Sequence, residues 1–240
     1  MKEENNTIAG GPFQRTALML GREAMERLAR ARVAVFGVGG VGSYVVEALA
    51  RSGVGTLELI DNDVVSVSNI NRQLVALHST VGRPKVEVAA ERVRDINPEC
   101  RVIARRMFYL PTNADEVDLT SFDYVADCID TVSAKMELIR RCTRQGVPII
   151  CSMGAAYKLD PTAFRVADIT KTMMDPLARV LRKRLRREGI NHFLTVYSPE
   201  APVEVAYGDS EEHVPASNAF VPAAAGLTIA GHIVRSLAQP

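Results

Sequence analysis

The stretch that decides the fold is VAVFGVGGVGS, residues 33–43. It begins with four apolar residues that do not alternate with polar ones, as in a strand buried on both faces of a parallel sheet. The pattern G-x-G-x-x-G follows at Gly37, Gly39 and Gly42, and an apolar helical face begins directly after it. Glycines between a strand and a helix let backbone N–H groups approach the phosphates of a nucleotide. The stretch therefore predicts a strand, a phosphate-binding loop and a helix.

Alternating strands and helices continue on both sides of this unit. A helical pattern precedes it at residues 18–29, and apolar spacing predicts a long amphipathic helix further on, ended by Asn97 and Pro98. The predicted strands are 56–60, 101–104, 124–128 and 148–151, and the predicted helices are 84–96 and 133–144. This order predicts an α/β, Rossmann-like, doubly wound and mostly parallel sheet with helices on both faces.

The pattern changes beyond residue 155. Strands are predicted at 161–168 and 192–197, a basic helix at 176–188, a mobile loop at 199–218 and a closing apolar helix at 222–237. We therefore divide the chain into residues 1–155, an N-terminal helix plus a nucleotide-binding Rossmann-like core, and residues 156–240. The second part is interpreted as a C-terminal strand and helix extension of the same domain.

Composition excludes several classes of protein. The 240 residues are 47% hydrophobic, and 29 basic against 28 acidic side chains give a formal net charge of +1, unlike a disordered or fibrous chain. The four cysteines are scattered without a C-x-x-C pair, which argues against a zinc site or a disulfide framework. The polar N-terminus and the lack of a run of 18 apolar residues predict a cytoplasmic protein without a membrane segment.

Polar residues follow the second predicted strand. Asp61 stands 19 residues beyond Gly42, where a carboxylate can accept hydrogen bonds from a ribose. This much also fits an NAD-dependent oxidoreductase or a plain nucleotide-binding module. Arg72 and Lys85 favour another chemistry, because nucleophilic attack on the α-phosphate of ATP builds up negative charge that cations stabilise, whereas hydride transfer has little use for them.

Asp130 follows the fourth predicted strand, at the sheet edge where ligands collect. Its carboxylate is a candidate ligand for Mg²⁺ that is also held by phosphate oxygens. The alternative is that Asp130 caps the helix predicted at 133–144. Asp127 is interpreted as structural, and Cys151 as a packing residue, with thioester formation as the alternative.

The order of these motifs resembles the E1-like adenylating superfamily: G-V-G-G-V-G-S at 37–43, D-N-D at 61–63, N-x-N-R-Q at 69–73, G-R-P-K at 82–85 and D-C-I-D at 127–130. The resemblance implies that ATP and Mg²⁺ bind here, with Arg72, Lys85 and Asp130 as catalytic residues and Asp130 as the metal ligand. It also implies a homodimer in which Arg15 reaches into the partner's site. The implied nucleotide-binding residues are Gly37, Gly39, Gly40, Gly42, Asp61, Asp63, Asn69, Arg72, Gln73, Lys85 and Arg15.

The second half distinguishes between branches of that superfamily. Activators of sulfur carriers typically have two C-x-x-C pairs, which this sequence lacks. Residues 152–155, 158–162, 167–172, 175–178 and 219–226 instead resemble the branch of tRNA threonylcarbamoyladenosine dehydratases. This resemblance implies an enzyme that adenylates the carboxylate of the modified adenosine in tRNA and promotes its cyclisation, releasing AMP and pyrophosphate. The alternative is activation of the C-terminal glycine of a ubiquitin-like sulfur carrier. A sulfur-transfer protein is a further expected partner.

A tRNA substrate requires a local positive surface, since the net charge is close to zero. The segment 179–188 carries six basic residues and one acidic residue. A basic helix face predicts contact with phosphates, and the alternative is a merely solvated face. The candidate nucleic-acid-binding residues are Lys171, Arg179, Arg182, Lys183 and Arg186.

Overall fold

The computed structural model describes residues 11–205 and 214–239. Its described residues form one seven-stranded sheet in the order β3-β2-β1-β4-β5-β7-β6, parallel throughout except for β6, which pairs antiparallel with β7. The strands are β1 (Arg32–Phe36), β2 (Thr56–Asp61), β3 (Arg101–Arg106), β4 (Tyr124–Asp127), β5 (Ile149–Ser152), β6 (Arg165–Asp168) and β7 (Leu194–Tyr197).

The helices begin and end at residues with recognisable local causes. Gly21, at a φ of 86°, separates the first two helices, which the sequence pattern treated as one stretch. Asp175 caps the sixth helix by accepting a hydrogen bond from the Ala178 N–H, and Pro176 occupies its first turn. The helices are α1 (Gln14–Leu20), α2 (Arg22–Arg30), α3 (Gly42–Arg51), α4 (Lys85–Ile96), α5 (Val132–Gln145), α6 (Pro176–Arg186) and α7 (Val221–Ala238).

The sheet is covered on both faces, which explains why its strands are apolar without a polar alternation. Val33 and Val35 of β1 pack into one core, together with α3, α4 and α7. Ala34 and Phe36 point to the opposite face and pack into a second core with α5 and α6. The predicted fold class, a doubly wound α/β sheet, is confirmed.

Some predicted elements were wrong in extent; for example, the strands predicted at 192–197 and 101–104 are observed as β7 (Leu194–Tyr197) and β3 (Arg101–Arg106). The strand expected at 161–168 covers only β6, because the Asp160 carboxylate accepts hydrogen bonds from the Thr162 N–H and hydroxyl and turns residues 161–163 into a 3₁₀ turn. Helix α6 ends at Arg186 rather than at residue 188. The central part of the loop predicted to be mobile, residues 206–213, lies outside the described residues.

The sheet runs through the predicted boundary at residue 155, since β7 pairs with β5. The division into residues 1–155 and 156–240 stays a prediction.

Among the described residues, helix α7 is long and apolar enough to cross a membrane by length and composition alone. Its inner residues Ala225, Ile229 and Ile233 are fully buried in the core shared with α3. At Gly226 the two helices approach so closely that a Cβ atom would lie 2.4 Å from the Val41 carbonyl oxygen. In this structure α7 is a core helix that reaches the glycine-rich loop.

Candidate nucleotide-binding site

A cavity of about 710 Å³ opens at the carboxyl edge of the sheet, within the range of small-molecule sites. Strand order reverses here between β1 and β4, so the loops that follow these two strands diverge and leave a crevice. Most of the residues predicted to bind the nucleotide line this cavity: Gly37, Gly39, Gly40, Asp61, Asp63, Asn69, Arg72, Gln73 and Lys85. The predicted metal ligand Asp130 lines it as well.

The glycine-rich loop is shaped by close backbone contacts. Gly37 has a φ of 86°, and a Cβ atom there would lie 2.7 Å from the Cys128 carbonyl oxygen. At Gly42 a Cβ atom would lie 1.8 Å from the Gly37 carbonyl oxygen. Gly42 is not among the described residues that line the cavity, and its predicted part in nucleotide binding stays a prediction. It lets the loop close on itself.

Asp61 is held at the end of β2 by two backbone donors. Its Oδ2 accepts from the Val38 N–H at 2.6 Å, and its Oδ1 accepts from the Asp63 N–H at 2.8 Å. Burial raises the pKa of Asp61, and these hydrogen bonds together with Lys85 oppose that rise. Each carboxylate oxygen retains a second lone pair, so Asp61 can accept from ribose hydroxyls as predicted.

Two predicted cations lie at the cavity in different settings. The Lys85 ammonium, 5% exposed, pairs with Asp63 at 2.7 Å. The Arg72 guanidinium donates from Nη1 to the Ser68 carbonyl and to Asn71 Oδ1, both at 2.9 Å. Its Cγ would be 3.6 Å from a Cβ atom at Gly40, so the arginine lies against the glycine-rich loop. Both side chains border the space where phosphates would lie.

Asn69 and Gln73 complete this wall. The Asn69 Oδ1 accepts from the Ser66 N–H at 3.1 Å, so a ligand would meet the amide NH₂ group of Asn69. Gln73 is buried, with Nε2 3.7 Å from where a Cβ atom of Gly39 would stand. The short turn at 67–73 therefore brings its polar side chains to the glycine-rich loop.

Asp130 is exposed at the cavity, where its Oδ1 accepts from the Thr131 hydroxyl at 3.3 Å. Thr131, not Asp130, is the N-cap residue of α5, so the alternative role as a helix cap is wrong. The part of the chain that the structure describes holds no cluster of three or more His, Cys, Asp or Glu residues that could bind a metal. Mg²⁺ commonly binds through one or two carboxylates and substrate phosphates, and Asp130 fits that chemistry.

Apolar walls of the cavity were missed by the sequence analysis. Phe108 follows β3 and lines the cavity while half exposed, and Met153 follows β5. Pro222, in the first turn of α7, closes another side. Their position just beyond strand ends was the available signal, but apolar side chains there resemble ordinary core residues.

The cysteines near the cavity are poor nucleophiles. Cys151 is fully buried, and burial raises the pKa of its thiol well above the ordinary value. Burial likewise raises the pKa of Cys128 to about 12. A thiolate is the reactive form of cysteine, so the structure favours the packing role of Cys151 over a thioester.

The candidate nucleic-acid residues divide into two groups. Lys171, Arg179, Lys183 and Arg186 are exposed. Arg182 is partly buried, and its Nη1 donates to the Ile169 carbonyl and to the carbonyl and hydroxyl of Thr172, at 2.7–3.1 Å; its predicted contact with nucleic acid stays a prediction. Arg182 turns inward and fixes the turn that carries Lys171.

Arg15 is exposed on α1 and is not among the described residues that line the cavity. Its predicted reach into a partner's site stays a prediction.

Residues 13–240 match the ThiF family. The chain belongs to the ThiF family. This ThiF-family protein is 48% identical over 238 residues to the tRNA threonylcarbamoyladenosine dehydratase of Bacillus subtilis (strain 168), a match that covers 94% of each chain. It is also similar to the solved structure of E. coli tRNA N6-threonylcarbamoyladenosine dehydratase, TcdA, in complex with ATP, with a TM-score of 0.84, 39% identity and coverage of 94% of this chain and 93% of that chain.

Relatives from the sulfur-carrier branch match a shorter part of the ThiF-family chain. The molybdopterin-synthase adenylyltransferase of Salmonella typhimurium is 40% identical over 144 residues, 58% of this chain and 54% of that protein. The resemblance to the E1-like superfamily is thus confirmed, and the full-length similarity lies with the dehydratase branch.

Proposed function

We propose that this protein is an ATP-dependent tRNA threonylcarbamoyladenosine dehydratase. The observation that carries the proposal is the 48% identity to the Bacillus subtilis dehydratase over 94% of both chains. The cavity at the switch point of the sheet supports it, because it brings a phosphate loop, a ribose acceptor and two cations together.

The first step activates the substrate's carboxylate. An oxygen of the threonyl carboxylate attacks the α-phosphate of ATP, the bond to the pyrophosphate breaks, and an acyl-adenylate forms. This activation is required because a carboxylate is a poor electrophile and would have to expel an oxide or hydroxide. Negative charge accumulates on the α-phosphate oxygens and on the departing pyrophosphate during the step.

Each residue of the site has a part in that step. The backbone N–H groups of the glycine-rich loop and the N-terminus of α3 bind phosphate oxygens. Arg72 and Lys85 stabilise the growing charge, since preorganised cations act where charge develops. Asp130 would hold Mg²⁺, and the bound metal would supply further neutralisation of the phosphate charge. Asp61 orients the nucleotide through its ribose.

The second step closes a ring. A nitrogen or oxygen of the same substrate side chain attacks the activated carbonyl carbon, and AMP leaves with the carboxylate oxygen. The sum of both steps is loss of water from the nucleoside, driven by conversion of ATP to AMP and pyrophosphate. The ring closure is intramolecular, so it benefits from a high effective molarity and needs no covalent bond to the enzyme.

The tRNA is proposed to lie against the exposed cations of α6 and the preceding turn: Lys171, Arg179, Lys183 and Arg186. Leu177 connects this surface to the cavity, because it belongs to α6 and lines the cavity wall. A cytoplasmic location and a homodimer with Arg15 crossing to the second site complete the proposal.

The alternative function is adenylation of the C-terminal glycine of a ubiquitin-like sulfur carrier, which uses the same first step. It is favoured by the shorter similarity to the molybdopterin-synthase adenylyltransferase. An NAD-dependent oxidoreductase is the more distant alternative, and tight binding of NAD without binding of ATP would favour it.

An assay of pyrophosphate exchange separates these functions. The protein is incubated with ATP, Mg²⁺ and either tRNA bearing threonylcarbamoyladenosine, unmodified tRNA or a ubiquitin-like carrier protein. We expect exchange, AMP release and loss of one water from the nucleoside only with the modified tRNA. An Arg72→Gln variant should lose these activities. Exchange with the carrier protein alone would overturn the proposal in favour of the alternative.

A further inference from the structure

A fully buried ion pair lies behind the cavity and has no part in the steps above. Lys135 on α5 and Asp127 at the end of β4 are both 0% exposed. The Lys135 ammonium donates to Asp127 Oδ2 at 2.7 Å and to the Ser152 carbonyl at 3.0 Å. Burying two charges is expensive, and apolar side chains of similar volume frequently give equal or greater stability. The pair therefore needs an explanation other than stability.

Both carboxylate oxygens of Asp127 belong to a group that accepts hydrogen bonds from Lys135 and from two further donors. Asp127 Oδ1 accepts from the Ile129 N–H at 3.2 Å, and the Cys151 thiol also donates to Asp127. Burial by itself would lower the pKa of Lys135, but the Asp127 carboxylate and the neighbouring Cys151 and Cys128 together raise it. Every contact of the pair thus connects β4, β5 or the start of α5.

The connected segments are the ones that form one side of the cavity. The Ile129 N–H bound by Asp127 directly precedes Asp130, the candidate Mg²⁺ ligand. On the neighbouring strand, the Ser152 carbonyl bound by Lys135 precedes Met153 and Gly154, which line the cavity. A shift of Lys135 would therefore move both loops relative to the glycine-rich loop.

We propose that Lys135 and Asp127 are positioning residues for the adenylation step: their buried pair sets the place of Asp130 against the nucleotide's phosphates. This inference rests on the proposed function. It predicts that the pair affects the use of Mg²⁺ more than the binding of the nucleotide itself.

The test compares three variants with a control. Asp127→Asn is isosteric, Lys135→Met removes the cation, and the double variant Asp127→Leu with Lys135→Met replaces both charges by apolar groups. Glu58→Gln is the control, because Glu58 is also a buried carboxylate of the sheet, paired with Arg105 at 2.7 Å, but it does not line the cavity among the described residues. Thermal unfolding first shows which variants are folded at the assay temperature.

Two quantities are then measured on the folded variants. We expect kcat for pyrophosphate exchange to fall at least about tenfold, since small displacements of catalytic groups have effects of this size. We also expect the tightening of ATP binding by Mg²⁺, measured by calorimetry with the metal and with EDTA, to be lost while the Kd in EDTA stays close to that of the wild type. The Glu58→Gln control should change stability only.

The outcomes separate the inference from the function. Wild-type kcat and an unchanged effect of Mg²⁺ on the Kd in any folded variant would overturn the positioning role. A wild-type protein without exchange on modified tRNA would overturn the proposed function, and the Mg²⁺ effect on ATP binding would still test the pair. The isosteric Asp127→Asn keeps the comparison available if removal of the buried lysine prevents folding.

Discussion

At the scale of single residues, Asp130 is the side chain that would allow the nucleotide-binding cavity to hold Mg²⁺ as well. We predict that Asp130→Asn lowers the rate of pyrophosphate exchange by a factor on the order of 100, because a neutral amide neither neutralises the metal nor binds it well. The midpoint of thermal unfolding should stay close to that of the wild type, since the side chain is exposed. The matched control is Asp95→Asn, because Asp95 is also an exposed aspartate but lies on α4, away from the cavity. If both variants lost the same exchange activity, Asp130 would have no specific role in the site.

Asp61, at the end of β2, and Arg72, within the motif at 69–73, could be singled out from the sequence. The contacts of Lys135 and Arg182 could not be predicted, because their partners are determined by the packed structure. The Lys135 ammonium meets the Ser152 carbonyl 17 positions away, and the Arg182 guanidinium meets backbone oxygens of the turn before α6. The sequence of a basic helix does not show which of its arginine side chains point to solvent and which point towards the protein.

At the scale of elements, the contact between α7 and the glycine-rich loop predicts different effects of alanine at two glycines of α7. Gly226→Ala should destabilise the fold by about 2 kcal/mol and weaken ATP binding, because its Cβ atom would stand 2.4 Å from the Val41 carbonyl oxygen. Gly231→Ala on the same helix meets nothing within 4 Å and should stabilise α7 by up to about 1 kcal/mol through helix propensity. Urea unfolding and calorimetry measure both effects. Equal behaviour of the two variants would contradict the close approach.

Helices α3 and α4 are connected by a charge network with a predictable pH dependence. Glu47 accepts from Arg92 at 2.6 Å and from Arg51 at 2.7 Å. Burial by itself would raise the pKa of Glu47, but these arginines outweigh it and lower that pKa below 4.5. The stabilisation is therefore present above pH 4.5 and is lost as the pH falls through the lowered value.

We predict that Glu47→Gln lowers the free energy of unfolding by about 1 kcal/mol near pH 7. The difference from the wild type should shrink as the pH falls below 4.5. Chemical denaturation along a pH series provides the measurement, with Glu87→Gln on the exposed side of α4 as control. If the difference in unfolding free energy grew as the pH fell, the pKa of Glu47 would be raised rather than lowered in the folded protein.

The elements themselves were largely predictable. Strand β1 follows a continuous apolar run, and helix α4 follows the apolar periodicity of its own sequence, each within a residue or two. The exceptions have local causes that periodicity does not detect, such as the hydrogen bonds from Thr162 to Asp160 that shorten β6. The antiparallel pairing of β6 with β7 also depends on contacts between residues distant in the sequence.

At the scale of the whole molecule, the two faces of the sheet carry different functions in the proposal. Helices α5 and α6 pack on one face, and the exposed cations of α6 lie on their outer side. Replacing Arg179, Lys183 and Arg186 by Gln should raise KM for tRNA and reduce the slope of log affinity against log salt by about 0.7–0.9 for each lost phosphate contact. The KM for ATP should stay the same.

The matched control replaces three exposed arginines elsewhere, Arg30, Arg94 and Arg101. The first two lie on α2 and α4, which cover the opposite face of the sheet. We expect this variant to keep the affinity for tRNA and its salt dependence. The α6 surface is not the tRNA-binding face if both triple variants lose the same affinity. Sequence charge alone indicated the segment, and the packing of α6 shows which of its arginines remain available.

Helix α7 also makes the nucleotide cavity depend on a segment that is distant from it in the sequence. Pro222 forms part of the cavity wall, and Gly226 packs on the loop that would receive the phosphates. A substitution that loosens α7 in the hydrophobic core is therefore expected to distort the cavity as well, so the fold and the site share one source of rigidity.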